Sequence, residues 1–251
     1  LSLVLSPLLA AHIGLHGLFA LTSALALGGV AVVIWWVPPA PLQQVDQARS
    51  GVLAVLRHPA LLRLDFGVFV LHAVQLAMWV ALPAMLVQAG LARDQHWQVY
   101  LPAVLASFFV MGATLFPLEK KGYLRAVFLS AIGLIAVVQV ALWLLTQAGP
   151  SIWTMGLVLF VFFCGFNVLE ASQPSLASKA APASARGAAL GVYNTLQSLG
   201  FFVGGLMGGW LVKSWGSPAL FLCCALALLA WLLVAWPMQT PGRGAAPPPT
   251  A

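Results

Sequence analysis

The feature that most constrains the fold is the run from Gly187 to Leu211, which is rich in glycine and contains no charged residue. Gly200, Gly204 and Gly208 are spaced four residues apart. Glycine costs a helix in water about 1 kcal/mol per position relative to alanine. In a bilayer the backbone must hydrogen-bond to itself, so the helix forms anyway. A glycine at every fourth position clears one face for a neighbouring helix, and the run therefore predicts a closely packed membrane-spanning helix.

The composition agrees with a membrane protein. The chain is 62% hydrophobic and 6% charged, whereas soluble domains contain about 25% charged residues. We assign the net charge of +6 to membrane orientation rather than to nucleic-acid binding, because basic residues concentrate in cytoplasmic loops. The three cysteines lie in apolar runs and show neither a disulfide framework nor a metal-binding spacing.

Eight apolar segments, separated by turn or charge signals, predict an all-α polytopic membrane protein. They are residues 1–14, 18–37, 64–89, 96–117, 126–147, 152–179, 187–212 and 217–237. The sequence begins at Leu1 inside the first segment, so we expect that segment to be truncated and the chain to be a fragment. We read residues 38–60, which are rich in proline, glutamine and arginine, as a linker containing a short amphipathic helix at the membrane interface. Residues 238–251 read as a disordered tail.

The basic residues of the loops predict an orientation. Alternate breaks share one side of the membrane, and this arrangement places nine basic residues on one side and only Arg93 and Lys213 on the other. The richer side should be cytoplasmic.

Three stretches carry a family resemblance. The strongest is residues 165–209, where an apolar helix is followed by Pro182, Arg186 and Gly187 and then by the glycine-rich helix with Gly191 and Tyr193. This order resembles the tenth and eleventh helices of the major facilitator superfamily, in its bacterial drug or sugar efflux branch. The charged loop 117–125 is similar to the loop motif that this family repeats between helices eight and nine, without its Asp-Arg core. Ser6-Pro7-Leu8-Leu9-Ala10-Ala11 resembles the antiporter motif of the fifth helix, with serine and alanine replacing its glycines.

The resemblance implies the end of the N-terminal half in residues 1–37, the linker in 38–60 and the C-terminal six-helix half in 61–237. It also implies a multi-pass protein of the bacterial inner membrane that transports a small molecule by alternating access. Our favoured interpretation is proton-coupled efflux of drug-like compounds or sugars, by a protein that is monomeric at full length and contacts membrane lipids. A solute importer of the same fold stays open, as do a membrane-embedded enzyme and a non-transporting scaffold. No catalytic motif or cofactor fingerprint is visible in the sequence, so we predict no enzyme activity, no cofactor and no nucleic-acid partner.

Polar residues inside predicted spans are functional candidates because they are costly in lipid. Eight side chains form the candidate substrate cavity: His72, Gln75, Trp79, Asn167, Glu170, Gln173, Asn194 and Gln197. Glu170 could carry a proton, or it could form a structural pair with Lys179, Arg186 or the opposite loop. The other seven could face the cavity or make interhelical contacts, and both interpretations stay open. The lone Gln139 is expected to pack.

Charged residues near the predicted inner ends are candidates for gating or for the inner loop motif. They are Asp65, Glu119, Lys120, Lys121, Arg125, Lys179 and Arg186, with Gly187 beside the last. For Asp65 we predict a local ion pair with Arg63 or an inner gate. The helix-packing candidates are Pro7, Gly191, Gly200, Gly204 and Gly208. His12 and His16 have no third ligand, so we predict no metal site.

Overall fold

A computed structural model describes residues 2–38 and 45–238 and divides the chain into two units, residues 1–44 and 45–251. The predicted tail from residue 239 onward and linker residues 39–44 lie outside the described residues.

The first unit consists of one helical element, α1 (Ser2–Trp36), which is interrupted only at Gly14. Gly14 has φ 67° and ψ 178°, a conformation that is essentially restricted to glycine. The sequence predicts a break over residues 15–17, but these residues are helical because the single glycine supplies the whole discontinuity. Residues His12–Trp36 are apolar and long enough to cross a membrane. Pro7 lies in the first part of α1.

The second unit contains α2 (Val45–Arg57), α3 (Pro59–Gln88), α4 (Trp97–Lys120), α5 (Leu124–Ala148), α6 (Ile152–Ala180) and α7 (Arg186–Ala235). Local chemistry fixes several of their ends. Ser151 caps α6 through a reciprocal pair of bonds with Thr154, which satisfies free backbone donors of the first turn. The breaks after α3, α4 and α5 use Gly90, Gly122 and Gly149, each with positive φ.

Helix α7 is 50 residues long, which corresponds to about 75 Å at the α-helical rise. It is too long for one pass through a hydrocarbon core of about 30 Å. The predicted break at residues 213–216 is reduced to a single non-helical residue, Gly216, with φ 81° and ψ 174°. Pro218 follows in the first turn of the second part, where its missing N–H costs nothing. The two parts, residues 186–215 and 217–235, therefore make two passes.

Contacts with α3 show that the chain reverses at this break. Moving along α7, Gly200 lies against Phe69 and Ala73, whereas Gly208 lies against Ala77. The first part of α7 therefore runs parallel to α3. Trp231, in the second part, returns to Gly67 near the start of α3.

The second half of the predicted linker belongs to the second unit. Helix α2 packs against α3, α7 and the short 3-10 turn Ala183–Ala185. Its Val55 is 1% exposed, and Gly51 approaches Ala185 and Ala188 closely. The predicted amphipathic helix is thus present, and one of its faces is covered by protein; its position at the membrane interface stays a prediction.

Candidate functional site

His72 is the centre of a polar cluster inside the second unit. Its side chain is 1% exposed and lies in the middle of the otherwise apolar helix α3. The ring nitrogen Nδ1 lies 2.8 Å from the carbonyl oxygen of Val68. Because a carbonyl only accepts hydrogen bonds, Nδ1 carries a proton. The other ring nitrogen, Nε2, is left to interact with neighbouring helices.

Glu170 from α6 and Gln197 from α7 converge on that nitrogen. Glu170 Oε2 lies 3.0 Å from His72 Nε2, and the side-chain nitrogen of Gln197 lies 2.8 Å from it. The same amide nitrogen donates to Glu170 Oε1 at 3.4 Å. An amide nitrogen has two hydrogens, so Gln197 can hold the imidazole and the carboxylate at once. Three helices thus meet at one hydrogen-bonded group.

One contact of this group depends on protonation. When the imidazole is neutral, His72 Nε2 accepts from Gln197, and the buried Glu170 Oε2 atom has no hydrogen-bond donor. A neutral imidazole nitrogen and a carboxylate oxygen are both acceptors, so their approach to 3.0 Å is unfavourable without a hydrogen between them. A proton on either atom would complete the contact. The contact between His72 and Glu170 therefore differs between the protonated and the unprotonated pair.

Aromatic rings cover the imidazole. Phe201 and Phe166 pack edge-on to His72 with centroid separations of 4.8 and 6.0 Å. They keep water away from the ring and lower the local dielectric, which strengthens electrostatic interactions in the group.

The polar cluster continues toward the start of α3. The Tyr193 hydroxyl donates to Gln173 Oε1 at 3.4 Å, and both side chains are buried. The carboxylates of Glu170 and Asp65 both act electrostatically on Tyr193. Sequence reasoning names Tyr193 only as part of a motif and misses its bond to Gln173, since the two residues lie on different helices.

Asp65 corrects one expectation. The sequence suggests a local ion pair with Arg63, but the structure forms none, because residues two apart on a helix do not face each other. Asp65 is instead 3% exposed, and its Oδ2 atom has no hydrogen-bond partner. It is a buried carboxyl group near the start of α3.

The remaining cavity candidates are distributed differently. Asn167 donates to the Ser107 hydroxyl on α4 at 2.8 Å, a partner that no sequence pattern indicates. Trp79 packs on Tyr100 with a centroid separation of 4.8 Å, and the buried oxygen of Gln75 has no partner. Asn194 is exposed within this unit and does not join the cluster. Gln139 packs as expected, with its amide 3.5 Å from the sulfur of Met78.

The charged candidates lie at the opposite end of the bundle from the α3–α4 connection. Lys179 donates to Glu119 at 3.2 Å, which joins the ends of α6 and α4. Glu170 is therefore not the partner of Lys179. Arg125 donates to the backbone carbonyl of Trp236 at 2.6 Å and lies over its ring, joining the start of α5 to the end of α7. Three further basic candidates form no ion pair within the described part of the chain and are exposed: Lys120, Lys121 and Arg186, with Gly187 beside the last.

Three packing glycines lie against α3. A Cβ atom at Gly204 would lie 2.7 Å from Ala73 Cα, and one at Gly208 would lie 2.9 Å from Ala77 Cα. A Cβ atom at Gly200 would meet the backbone of Phe69 and Ala73. The two helices therefore touch backbone to backbone. At Gly191 an added Cβ would meet nothing within 4 Å.

Among the residues that the structure describes, no group of three His, Cys, Asp or Glu side chains is arranged to hold a metal ion. His12 and His16 lie in the first unit on α1.

Comparison with known proteins gives a consistent family. The sequence profile described as Major Facilitator Superfamily matches residues 1–205 and 118–251. The chain is 37% identical over 246 residues to the inner membrane transport protein YajR of Escherichia coli (strain K12), covering 96% of this chain and 53% of that protein. It is 26% identical over 209 residues to an uncharacterized transporter of Buchnera aphidicola subsp. Acyrthosiphon pisum, covering 81% of this chain and 53% of that protein. The chain spans about half the length of these curated relatives.

Proposed function

Since the chain belongs to the Major Facilitator Superfamily, we propose that it forms the C-terminal half of a proton-coupled efflux transporter whose proton site is Glu170 with His72. Membership makes the chain part of a membrane transporter and not of an enzyme. It is a multi-pass protein of the bacterial inner membrane. The proton, the direction of transport and the class of substrate are the proposed elements.

The observation that supports the proton site is the contact of the buried Glu170 Oε2 atom with His72 Nε2, at 3.0 Å. This atom lies within a predicted span, where an unpaired carboxylate is costly. The free-energy cost of burying this carboxyl group falls when a proton binds and rises when the proton leaves. The protonation state of Glu170 therefore biases the packing of α3, α6 and α7, which is what coupling requires: one ligand must differ in affinity between two conformations.

The hydrogen bonds of Gln197 differ between the states with and without the extra proton. Without the extra proton, its two amide hydrogens satisfy His72 Nε2 and Glu170 Oε1. With the proton between His72 and Glu170, the bond from Gln197 to the ring is no longer needed. Proton binding thus releases a donor on α7, and the first part of that helix also carries the glycine contact with α3.

Side chains farther along α3 support the proposed class of substrate, an amphipathic solute. Trp79 and Tyr100 form an aromatic corner, beside which Phe163 also packs. The buried oxygen of Gln75 and the hydroxyl of Tyr100 have no partners. Apolar walls with a few placed polar groups suit amphipathic ligands, so we propose a drug-like compound or a sugar with one apolar face as the exported solute.

The experiment is a reconstitution of the transporter at full length in proteoliposomes, with ethidium and lactose as probes. Glu170→Gln keeps the size of the side chain and removes the proton site. We expect accumulation driven by a pH gradient to fall at least 10-fold, while exchange of probe between equal concentrations at fixed pH continues. The matched control is Asp94→Asn, an exposed carboxylate in the connection between α3 and α4. If Glu170→Gln transports under a pH gradient as well as the control does, the proposed proton site is wrong.

A further inference from the structure

An open groove lies between α4 and α5, away from the polar cluster. Its volume is about 500 Å³. Leu118 and Val110 of α4 form one wall, Val127 and Leu134 of α5 form the other, and Cys164 of α6 lies in the floor. The walls span seven to eight residues on each helix, or about 11 Å along the bundle axis. The groove therefore extends along the two helices and is open to the outside of the unit.

The surface of the groove is apolar even where its sequence is not. Thr114 lines it, but its hydroxyl donates to the carbonyl of Val110 at 2.7 Å, so the hydrogen-bonding capacity of the side chain is spent within its own helix. The residues at the bottom of the groove include Gly165 and Ala131, whose small size leaves the groove open. At Gly165 there is no room for a larger residue, since an added Cβ atom would lie 2.9 Å from Ile135. Apart from Ser130 and Tyr123, the other lining side chains are apolar or a thiol. The surface suits a hydrocarbon chain.

The mouth of the groove is basic. Lys120 and Lys121 follow Leu118 and Glu119, and Arg125 lies two residues after Tyr123, which also lines the groove; the three basic side chains are exposed. The one acidic residue of this loop, Glu119, is already bound to Lys179. Three positive charges are thus left without an acidic partner among the described residues. Tyr123 and Trp236, both exposed, add the aromatic side chains that are typical of a membrane interface.

We propose that this groove binds an anionic phospholipid, with one acyl chain between α4 and α5 and the phosphate against Lys120 and Lys121. The apolar groove and the basic mouth match the two ends of such a molecule. The excess of basic residues on this side of the membrane predicts that the mouth is cytoplasmic, and anionic lipids of that leaflet attract basic segments. Bound lipid would hold α4 and α5 at their observed separation and support the Glu119–Lys179 pair beside it.

The test uses the full-length transporter in vesicles containing phosphatidylglycerol with a photoactivatable diazirine in its acyl chain. After illumination, crosslinked peptides are mapped by mass spectrometry. We expect crosslinks in residues 126–134 of α5 and 110–118 of α4. A phosphatidylcholine carrying the same diazirine should give at least fivefold less crosslinking at these positions.

Two variants separate the head-group site from the groove. The double variant Lys120→Gln with Lys121→Gln should lower crosslinking by phosphatidylglycerol at least fivefold, and Lys213→Gln, an exposed basic residue at the opposite end, should leave it unchanged. Ser130→Phe, which fills the groove but keeps its charges, should abolish crosslinking within residues 126–134. Thermal unfolding of each variant checks that it is folded. Equal labelling by the two lipids, labelling that persists in the double lysine variant, or absence of labelling in the folded wild-type protein because another part of the transporter covers the groove would each overturn the proposal.

Discussion

The two parts of α7 pack on the same helix, α3, in opposite ways. Residues 186–215 meet α3 through glycines, so that Gly204 lies against the backbone of Ala73. Residues 217–235 meet it through a large side chain, since the fully buried indole of Trp231 fills the space above Gly67. In the first contact α7 supplies the glycine, and in the second α3 supplies it.

The difference explains where the polar cluster can form. Backbone-to-backbone contact brings α7 close enough for Gln197 to reach both His72 and Glu170, and an intervening large side chain would prevent this. The second part of α7 carries no member of the cluster; its contacts, including the edge-on pair of Phe128 and Trp231, are apolar and interlocked. We interpret the first contact as the one that can shift during transport and the second as the one that holds the unit together.

The largest expected effect is that of Gly204→Leu. Even its Cβ atom would lie 2.7 Å from Ala73 Cα, and backbone cannot move aside as a flexible side chain can. We expect a loss of at least about 4 kcal/mol, which is exceptional for one substitution and comparable to the whole stability of many proteins. The measurement is thermal unfolding in detergent with a thiol-reactive dye, which reports exposure of the buried Cys224 after the exposed Cys223 and the groove residue Cys164 are replaced by Ser.

The control for this variant is Gly209→Leu, where a Cβ would meet nothing within 4 Å. It should unfold within a few degrees of the parent. Equal destabilisation by both substitutions would mean that the helix rejects leucine for reasons other than the contact with α3, and the comparison between the two parts of α7 would lose its basis.

A smaller effect is expected from Trp231→Ala. Truncating a fully buried tryptophan removes its apolar contacts and leaves a cavity, which costs about 3–5 kcal/mol. The same thiol assay should show a lower unfolding temperature, whereas Trp153→Ala, at a side chain that is 88% exposed, should leave it nearly unchanged. In the folded fraction, proton-driven transport should persist because no member of the polar cluster is altered. Loss of transport in protein that remains folded would contradict the interpretation that the first part of α7 shifts during transport while the second part holds the unit together.

Most of the fold follows from the sequence because apolar length and turn residues are local signals. The predicted segments 126–147 and 152–179 differ from α5 and α6 by at most two residues at each end. The four-residue spacing of Gly200, Gly204 and Gly208 likewise indicates a packing face, because that spacing is itself local. Sequence reasoning overestimates the length of two breaks, since a single glycine with positive φ suffices at Gly14 and at Gly216.

The site is less predictable because its contacts join distant parts of the chain. Sequence reasoning names His72, Glu170 and Gln197 as separate candidates, since polar side chains in lipid are rare. Which helix meets which, and at what height, depends on the parallel alignment of α3 with the first part of α7. The sequence has no local signal for that alignment. For the same reason the Ser107 partner of Asn167 could not be found, as a serine in an apolar helix is common.

Gln197→Leu should have the smallest effect on stability and a distinct effect on transport. Hydrogen bonds between membrane helices average about 0.6 kcal/mol, so the unfolding temperature should change far less than in Trp231→Ala. Without the amide, however, the proton-free state loses its donors to His72 Nε2 and Glu170 Oε1, while the protonated contact keeps its own hydrogen. The proton-free state is then harder to form, and gradient-driven transport should slow. Asn194→Leu, three residues earlier and exposed in this unit, should leave the transport rate unchanged. If Gln197→Leu instead destabilises the protein as strongly as Trp231→Ala and leaves the transport rate of the folded protein unchanged, then hydrogen bonds hold the first part of α7 against α3, and the glycine contact is not the one that shifts during transport.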